Sequence, residues 1–292
     1  MKIYIDGEFY DREKALVSVY DHGLLYGDGV FEGIRAYGGR VFRLKEHVER
    51  LYASAKAILL DIPVPPEEMS RLITEAVRIN GLKDAYIRAI VTRGVGDLGL
   101  DLRKCPKPSV IVIVDKIALY PEEAYRRGLK VIVASLRRTP PDTLSPLIKS
   151  LNYLNNVLAR AEAIRAGCDE AILLNREGYV AECTGDNIFF IRKDVLFTPP
   201  VFVGILEGVT RGVAMDLARR KLCLDVREQV FTPTELYGAD EVFLTGTGAE
   251  IIGVSHVDGR KIGEGRPGPV TKKLVAAFRE HALSLAAEGA ER

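Results

Sequence analysis

The sequence predicts an α+β protein of two domains. At 292 residues the chain is longer than one hydrophobic core ordinarily serves. Its first half mixes short β-branched runs with two amphipathic helical stretches, and further strands and helices follow a short charged segment bounded by Pro121 and Gly128. The division read from this is a small domain over 1–118, a linker over 119–128 and a larger domain over 129–292.

Lys2 to Ile5 and Glu8 to Tyr10, joined at Asp6-Gly7, read as a β-hairpin. Leu44, Val48, Leu51, Ala55, Ile58 and Leu59 recur at helical spacing and predict an amphipathic helix over about 44–59. Pro66-Glu-Glu68 opens a second helix and Asn80-Gly81 closes it. Ala85 to Val91 and Ser109 to Val114 are expected strands, with a loop from Gly94 to Pro108 between them. Beyond the linker come a strand from Leu129 to Ala134 and a helix from Asn152, or from as early as Ser150, to Ala166 with Gly167 as its stop. Apolar runs at Ala171 to Leu174 and Ile188 to Ile191 flank Glu182, and the tail from Pro269 reads as a helix with Val270, Leu274, Ala277 and Ala282 on one side. Gly27-Asp-Gly-Val-Phe-Glu-Gly33 has neither the glycine spacing nor the βαβ setting of a dinucleotide site.

Composition excludes several function classes. Lys and Arg number 41 against 40 Asp and Glu, so the charge favours neither nucleic acid nor an acidic membrane surface. No apolar run approaches the ~20 residues of a membrane span, and Met1-Lys-Ile-Tyr-Ile5 enters a strand without a signal-peptide core; a cytoplasmic location is expected. Cys105, Cys168, Cys183 and Cys223 are scattered and the four histidines form no ligand pattern, so reduced thiols and no metal are expected. Trp is absent and Gln229 is the only glutamine, a bias that suits a thermophile.

The chemistry starts at Lys149. It lies in Ser145-Pro-Leu-Ile-Lys-Ser-Leu-Asn-Tyr153, among apolar side chains that disfavour an ammonium and prepare an amine for attack on a carbonyl. Glu182, between two apolar strands, needs a partner for its carboxylate, and a pyridinium nitrogen would be one. Glu207-Gly-Val-Thr-Arg211 starts an apolar-periodic stretch and reads as a helix N-terminus able to bind an anion. Thr245-Gly-Thr-Gly-Ala-Glu250 is a second small-residue turn after a strand. Tyr86 and Arg88 alternate on one strand and so share a face.

These segments resemble the pyridoxal-phosphate (PLP) enzymes of fold type IV. Tyr26-Gly-Asp-Gly-Val-Phe-Glu-Gly-Ile-Arg-Ala-Tyr37, Glu46-His-Val-Glu-Arg50 and Tyr86-Ile-Arg88 narrow the resemblance to the branched-chain amino acid aminotransferases, in order from about Ile3 to Phe278. The resemblance implies Lys149 as the lysine that carries PLP and moves the proton, Glu182 as the partner of the pyridine nitrogen, and Tyr153 at the O3′ oxygen. It implies a phosphate site of Arg50, Val209, Thr210 and Thr247. For substrate it implies Tyr86 with the Thr247-Gly248-Ala249 backbone at the α-carboxylate, and Arg88 for the side-chain carboxylate of glutamate. Tyr26, Phe31 and Tyr153 would form apolar walls, and Arg35 would orient that cluster. Gly248 stands where many relatives have alanine, which leaves fine specificity open. The implied reaction exchanges an amino group between leucine, isoleucine or valine and 2-oxoglutarate, in a homodimer or higher homo-oligomer. Alternatives within the fold are a D-amino acid or (R)-amine transaminase and an aminodeoxychorismate lyase. A PLP-binding protein without turnover is the alternative of another class.

Overall fold

The computed structural model describes residues 1–116 and 119–287, so the expected domain limits at 118 and 292 lie outside the described residues. Contacts group 1–116, 148–152 and 282–287 into one unit, and 119–147 with 153–281 into another. The lysine segment thus packs with the N-terminal half of the chain, although it follows the expected linker.

In the first unit, β1 (Lys2–Ile5) and β2 (Glu8–Asp11) form the expected hairpin. A short helix α1 (His22–Tyr26) precedes β3 (Gly29–Tyr37) and β4 (Arg40–Val41). The amphipathic helices α2 (Leu44–Ala57) and α3 (Pro66–Asn80) follow, then β5 (Ala85–Thr92) and β6 (Ser109–Asp115). The six strands make an antiparallel sheet ordered β2-β1-β6-β5-β3-β4. Strand alternation splits β3 and β5 into two faces. Val30, Ile34, Ile87 and Ala89 pack against Val48, Leu51, Ala55 and Ile73 of the helices. The opposite face carries Phe31, Gly33 and Arg35, paired with Ile90, Arg88 and Tyr86.

Residues 148–152 run extended along the start of β3. The Phe31 N–H donates to the Lys149 carbonyl (2.9 Å) and the Leu151 N–H to the Gly29 carbonyl (3.0 Å), while Val30 and Ser150 form a bridge. Gly29 makes this approach possible, since a Cβ there would stand 2.7 Å from both Leu151 Cδ1 and the Val91 carbonyl. The extended pairing corrects the expected helix start: α5 begins at Leu154, not near Ser150 or Asn152, and ends at Arg165.

In the second unit α4 (Glu122–Arg127) occupies the expected linker, with Ala124 in the core. The chain continues through β7 (Leu129–Arg137), α5, β8 (Glu170–Leu174), β9 (Val180–Cys183), β10 (Asn187–Arg192) and β11 (Val195–Thr198). Then come α6 (Val209–Arg220), β12 (Asp225–Glu228), α7 (Pro233–Tyr237), β13 (Glu241–Gly246), β14 (Glu250–Val257), β15 (Arg260–Lys261) and α8 (Pro269–Ala287), which belongs to this unit as far as His281. The sheet runs β12-β11-β10-β13-β14-β7-β8-β9, with β15 on β14. Val131, Ile172, Ile188, Phe190, Leu244 and Val254 form its core. Glu182 was expected between two strands but lies within one, β9, opposite Leu173 of β8. On α8 the buried side is Thr271, Leu274, Phe278 and Ala282, which shifts the expected stripe by about one position.

One residue breaks the apolar face of β3. Glu32 is fully buried, and its two oxygens accept from Arg50 Nε (2.6 Å) and Nη2 (2.8 Å) on α2. His47, also on α2, bonds the same carboxylate through Nδ1 (2.8 Å). Burial pushes the Glu32 carboxyl up, but the Arg50 charge and hydrogen bonds, with that of His47, outweigh it and bring the pKa from 4.5 to about 2. Burial holds His47 below its ordinary 6.5 despite Glu32.

Both shifts have the same sign, because in acid the unfolded chain takes up protons that the native fold does not. The His47 contribution to stability is complete above pH 6.5 and declines below it. The Glu32 contribution is complete above 4.5 and is lost as pH falls towards about 2. Glu32 should account for about 3 kcal/mol of this acid-sensitive stability. Urea unfolding between roughly pH 3 and pH 8 should show Glu32→Gln less stable than wild type at neutral pH, with a flatter loss in acid. An unchanged acid limb would assign that titration to other groups.

Candidate active site

The first unit gathers Lys149, Phe31, Tyr86 and Arg88. The pairing of 148–152 with β3 carries the Lys149 Nζ over the Phe31 ring, 4.6 Å from its centroid. From β5, the Arg88 guanidinium lies 4.5 Å from the same centroid, and its Nη2 donates to the Tyr86 hydroxyl (3.0 Å). Arg88 and Tyr86 share a face as strand alternation requires. Arg88 Nε is buried with no hydrogen-bond partner among the described residues. Arg35, on the same face, sits 5.2 Å from the Tyr37 ring centroid. Tyr26 ends α1, packs edge-on against His22 and donates its hydroxyl to the Leu98 carbonyl. Arg50 is tied to Glu32, and one turn further along α2 the Ser54 hydroxyl accepts from the Lys149 backbone N–H (3.1 Å).

The second unit gathers the remaining candidates. Glu182 is 5% exposed. Its Oε1 accepts from Arg138 Nε (2.8 Å), and its Oε2 from the Leu206 N–H (2.9 Å) and Asn187 Nδ2 (3.3 Å). A buried carboxylate held by a cation and two amides is a fixed acceptor. Val209 and Thr210 open α6, as the sequence predicts, with Gly208 as the N-cap. A side chain at position 208 would overlap the Asn187 amide, so only glycine leaves the Asn187 bonds intact. The first-turn N–H groups of this helix and the buried Thr210 form a donor set suited to an anion. Thr247, Gly248 and Ala249 form the turn between β13 and β14, and the Tyr125 hydroxyl donates to the Ala249 carbonyl (3.1 Å). Tyr153 is the N-cap residue of α5. Among the described residues no group of His, Cys, Asp and Glu is arranged to hold a metal ion.

Sequence reasoning missed Glu32, His47 and Arg138. Glu32 left a readable signal: it interrupts the alternate apolar positions Val30, Ile34 and Ala36, so a buried acid in need of a partner follows from strand period alone. Arg138 left none, since it directly follows β7 and meets Glu182 only after β7, β8 and β9 pair.

The amino-transferase class IV family profile matches residues 29–257. A Methanocaldococcus jannaschii protein carrying a branched-chain-amino-acid aminotransferase assignment is 54% identical over 280 residues, 96% of each chain. The crystal structure of the Escherichia coli branched-chain amino acid aminotransferase superposes with a TM-score of 0.93 at 39% identity, over 96% of this chain and 93% of that one. A T.th. branched-chain amino acid aminotransferase complexed with N-(5'-phosphopyridoxyl)-L-glutamate gives 0.90 at 41% identity, with coverage of 96% and 93%. A profile match across most of the chain and near-complete coverage by these relatives agree with the motifs read from the sequence, and the chain belongs to the class IV aminotransferases, within their branched-chain-amino-acid aminotransferase family.

Proposed function

We propose that the protein transfers the amino group of leucine, isoleucine and valine to 2-oxoglutarate, giving branched 2-oxo acids and L-glutamate, with PLP as cofactor. The observation that carries this reading is the setting of Phe31: an apolar ring with the Arg88 guanidinium 4.5 Å from its centroid and a buried, unpartnered Arg88 Nε. Leucine needs only apolar walls, whereas the side chain of glutamate needs a cation in the same place. One arginine at the rim of an aromatic pocket serves both. The T.th. relative with its phosphopyridoxyl-glutamate supports the glutamate half.

The residues fit PLP. Glu182 is a buried, fixed acceptor, the start of α6 behind its Gly208 N-cap offers a cluster of donors, and Lys149 supplies an amine. Arg50, Val209, Thr210 and Thr247 would hold the phosphate, Glu182 the pyridine nitrogen, Tyr153 the O3′ oxygen and Lys149 the carbonyl carbon. When bound, PLP supplies an aldehyde to receive the amino group and a protonated ring to draw electron density from the substrate Cα. Lys149 would serve as the base that moves the proton between the substrate Cα and C4′. Glu182, anchored by Arg138, would accept the pyridinium N–H. Tyr86 and the Thr247-Gly248-Ala249 backbone bind the α-carboxylate, while Tyr26, Phe31 and Tyr153 exclude water around the side chain. Arg35 orients the aromatic cluster. Donor and acceptor use this site in turn, in ping-pong order.

A homodimer or higher homo-oligomer belongs to this reading. Leu16, Val19, Leu24, Leu98 and Leu100 are 66–79% exposed in the first unit. The His22 N–H bond to the Gly94 carbonyl and the Gly96 N–H bond to the Tyr20 carbonyl join their segments, and an apolar face of this kind calls for cover. No described helix is long and apolar enough to cross a membrane, and the four cysteines are free; we place the protein in the cytoplasm.

Borohydride reduction of the PLP-loaded wild type should leave a pyridoxyl group on Lys149, and Lys149→Ala should fold but lose nearly all transamination. Peptide mapping that found the label on another lysine would overturn the assignment.

Arg88→Ala should damage the glutamate half-reaction far more than the leucine half-reaction. Losing one partner of a desolvated carboxylate pair costs ~2–5 kcal/mol, or roughly 30- to several-thousand-fold in kcat/KM. Leucine should change by less than about tenfold, through lost packing of the arginine stem. Single-turnover bleaching of the PLP form by each amino acid separates the two. Equal losses would move Arg88 to the shared α-carboxylate, and no loss with either would take it out of the pocket.

A further inference from the structure

We propose that Glu32, backed by His47, is a positioning residue that fixes the Arg50 guanidinium in its anion-binding orientation before any cofactor arrives. The inference rests on the reading of Arg50 as a phosphate ligand. A guanidinium is rigid and planar, so holding Nε and Nη2 against the two Glu32 oxygens at 2.6 and 2.8 Å sets both its plane and its direction. His47 grips Oε2 at 2.8 Å through Nδ1, and because a carboxylate only accepts, that nitrogen carries the hydrogen. His47, Arg50 and Ser54 are spaced three and four residues apart on α2 and so share one face. Ser54 receives the Lys149 backbone N–H, so the same helix face sets the phosphate arginine and the lysine backbone.

Two bland explanations fail. A carboxylate beside Arg50 reduces the net positive charge facing a phosphate dianion, so attraction for phosphate does not account for it. Adhesion of β3 to α2 would be served as well by an apolar side chain, as it is at Val30 and Ile34 on the same face. What a buried acid adds is orientation, since a long arginine left mobile would lose rotamer freedom on binding.

The test compares wild type, Glu32→Gln, Arg50→Ala and the double variant, each as the full chain freed of cofactor, for affinity towards PLP and towards pyridoxal, which lacks the phosphate. Glu32→Gln should weaken PLP binding by roughly 10- to 100-fold, the scale seen when the hydrogen-bonded supports of metal ligands are removed, and change pyridoxal by less than about threefold. In the Arg50→Ala background the same change should add less than about threefold, because it acts through Arg50. Equal losses of PLP and pyridoxal, no loss of PLP, or full additivity would each overturn the proposal in favour of a structural role. Arg50→Ala with wild-type PLP affinity would instead remove the phosphate reading, and the inference with it. Should Glu32→Gln not fold, the wild type still decides: its Arg50 Nε–H should resist solvent exchange without cofactor, and protection that appears only with PLP would overturn the proposal.

Discussion

The pairing of residues 148–152 with the start of β3 is the constraint on which the arrangement around Lys149 depends. It brings Lys149 to Ser54, 95 residues away in sequence. The Lys149 carbonyl is held by Phe31 and its N–H by Ser54, so the backbone is fixed on both sides while the side chain remains directed over the Phe31 ring. Gly29 is the physical condition for it, since any side chain there would drive Leu151 and β5 apart. The amine's position is thus a property of sheet pairing rather than of its own short segment.

Each unit carries a buried carboxylate paired with an arginine. Glu32 meets Arg50 in the first, and Glu182 meets Arg138 in the second. Removing either arginine would leave an uncompensated charge away from water, which costs far more than a surface ion pair is worth. The two acids nevertheless differ in role. Glu182 is proposed to meet the pyridine ring of the cofactor directly, while Glu32 meets only protein and acts through the arginine it holds. Both are satisfied by several donors at once, which makes them rigid and separates them from the many exposed pairs on α2 and α3, such as Lys45 with Glu49 and Arg71 with Glu68.

The family relation and the geometry bear on different questions. Family membership places the chain among enzymes of one reaction type. The surroundings of Phe31, with the Arg88 guanidinium over its ring, bear on the proposal that one pocket takes an apolar side chain and an acidic one in alternate half-reactions. A rim cation is compatible with leucine because an aliphatic side chain needs no desolvated partner, whereas a carboxylate in the same position does.

The sequence by itself determined the local elements. The α2 stripe, the proline and glycine limits of α3, the first hairpin and the α6 start all follow from periodicity and capping chemistry, which operate over a few residues. It also singled out Lys149, Glu182 and Thr210 as candidates, through residue type in an unsuitable or suggestive setting. Tertiary structure alone decided the partners. Arg138 meets Glu182 across 44 residues and Arg50 meets Glu32 across 18, and the expected helix near Ser150 yields to an extended run because β3 supplies backbone partners that the local sequence does not contain. Helical and strand periods are local, but the pairing of distant strands chooses which buried charges meet, and that choice is made by the sheet as a whole.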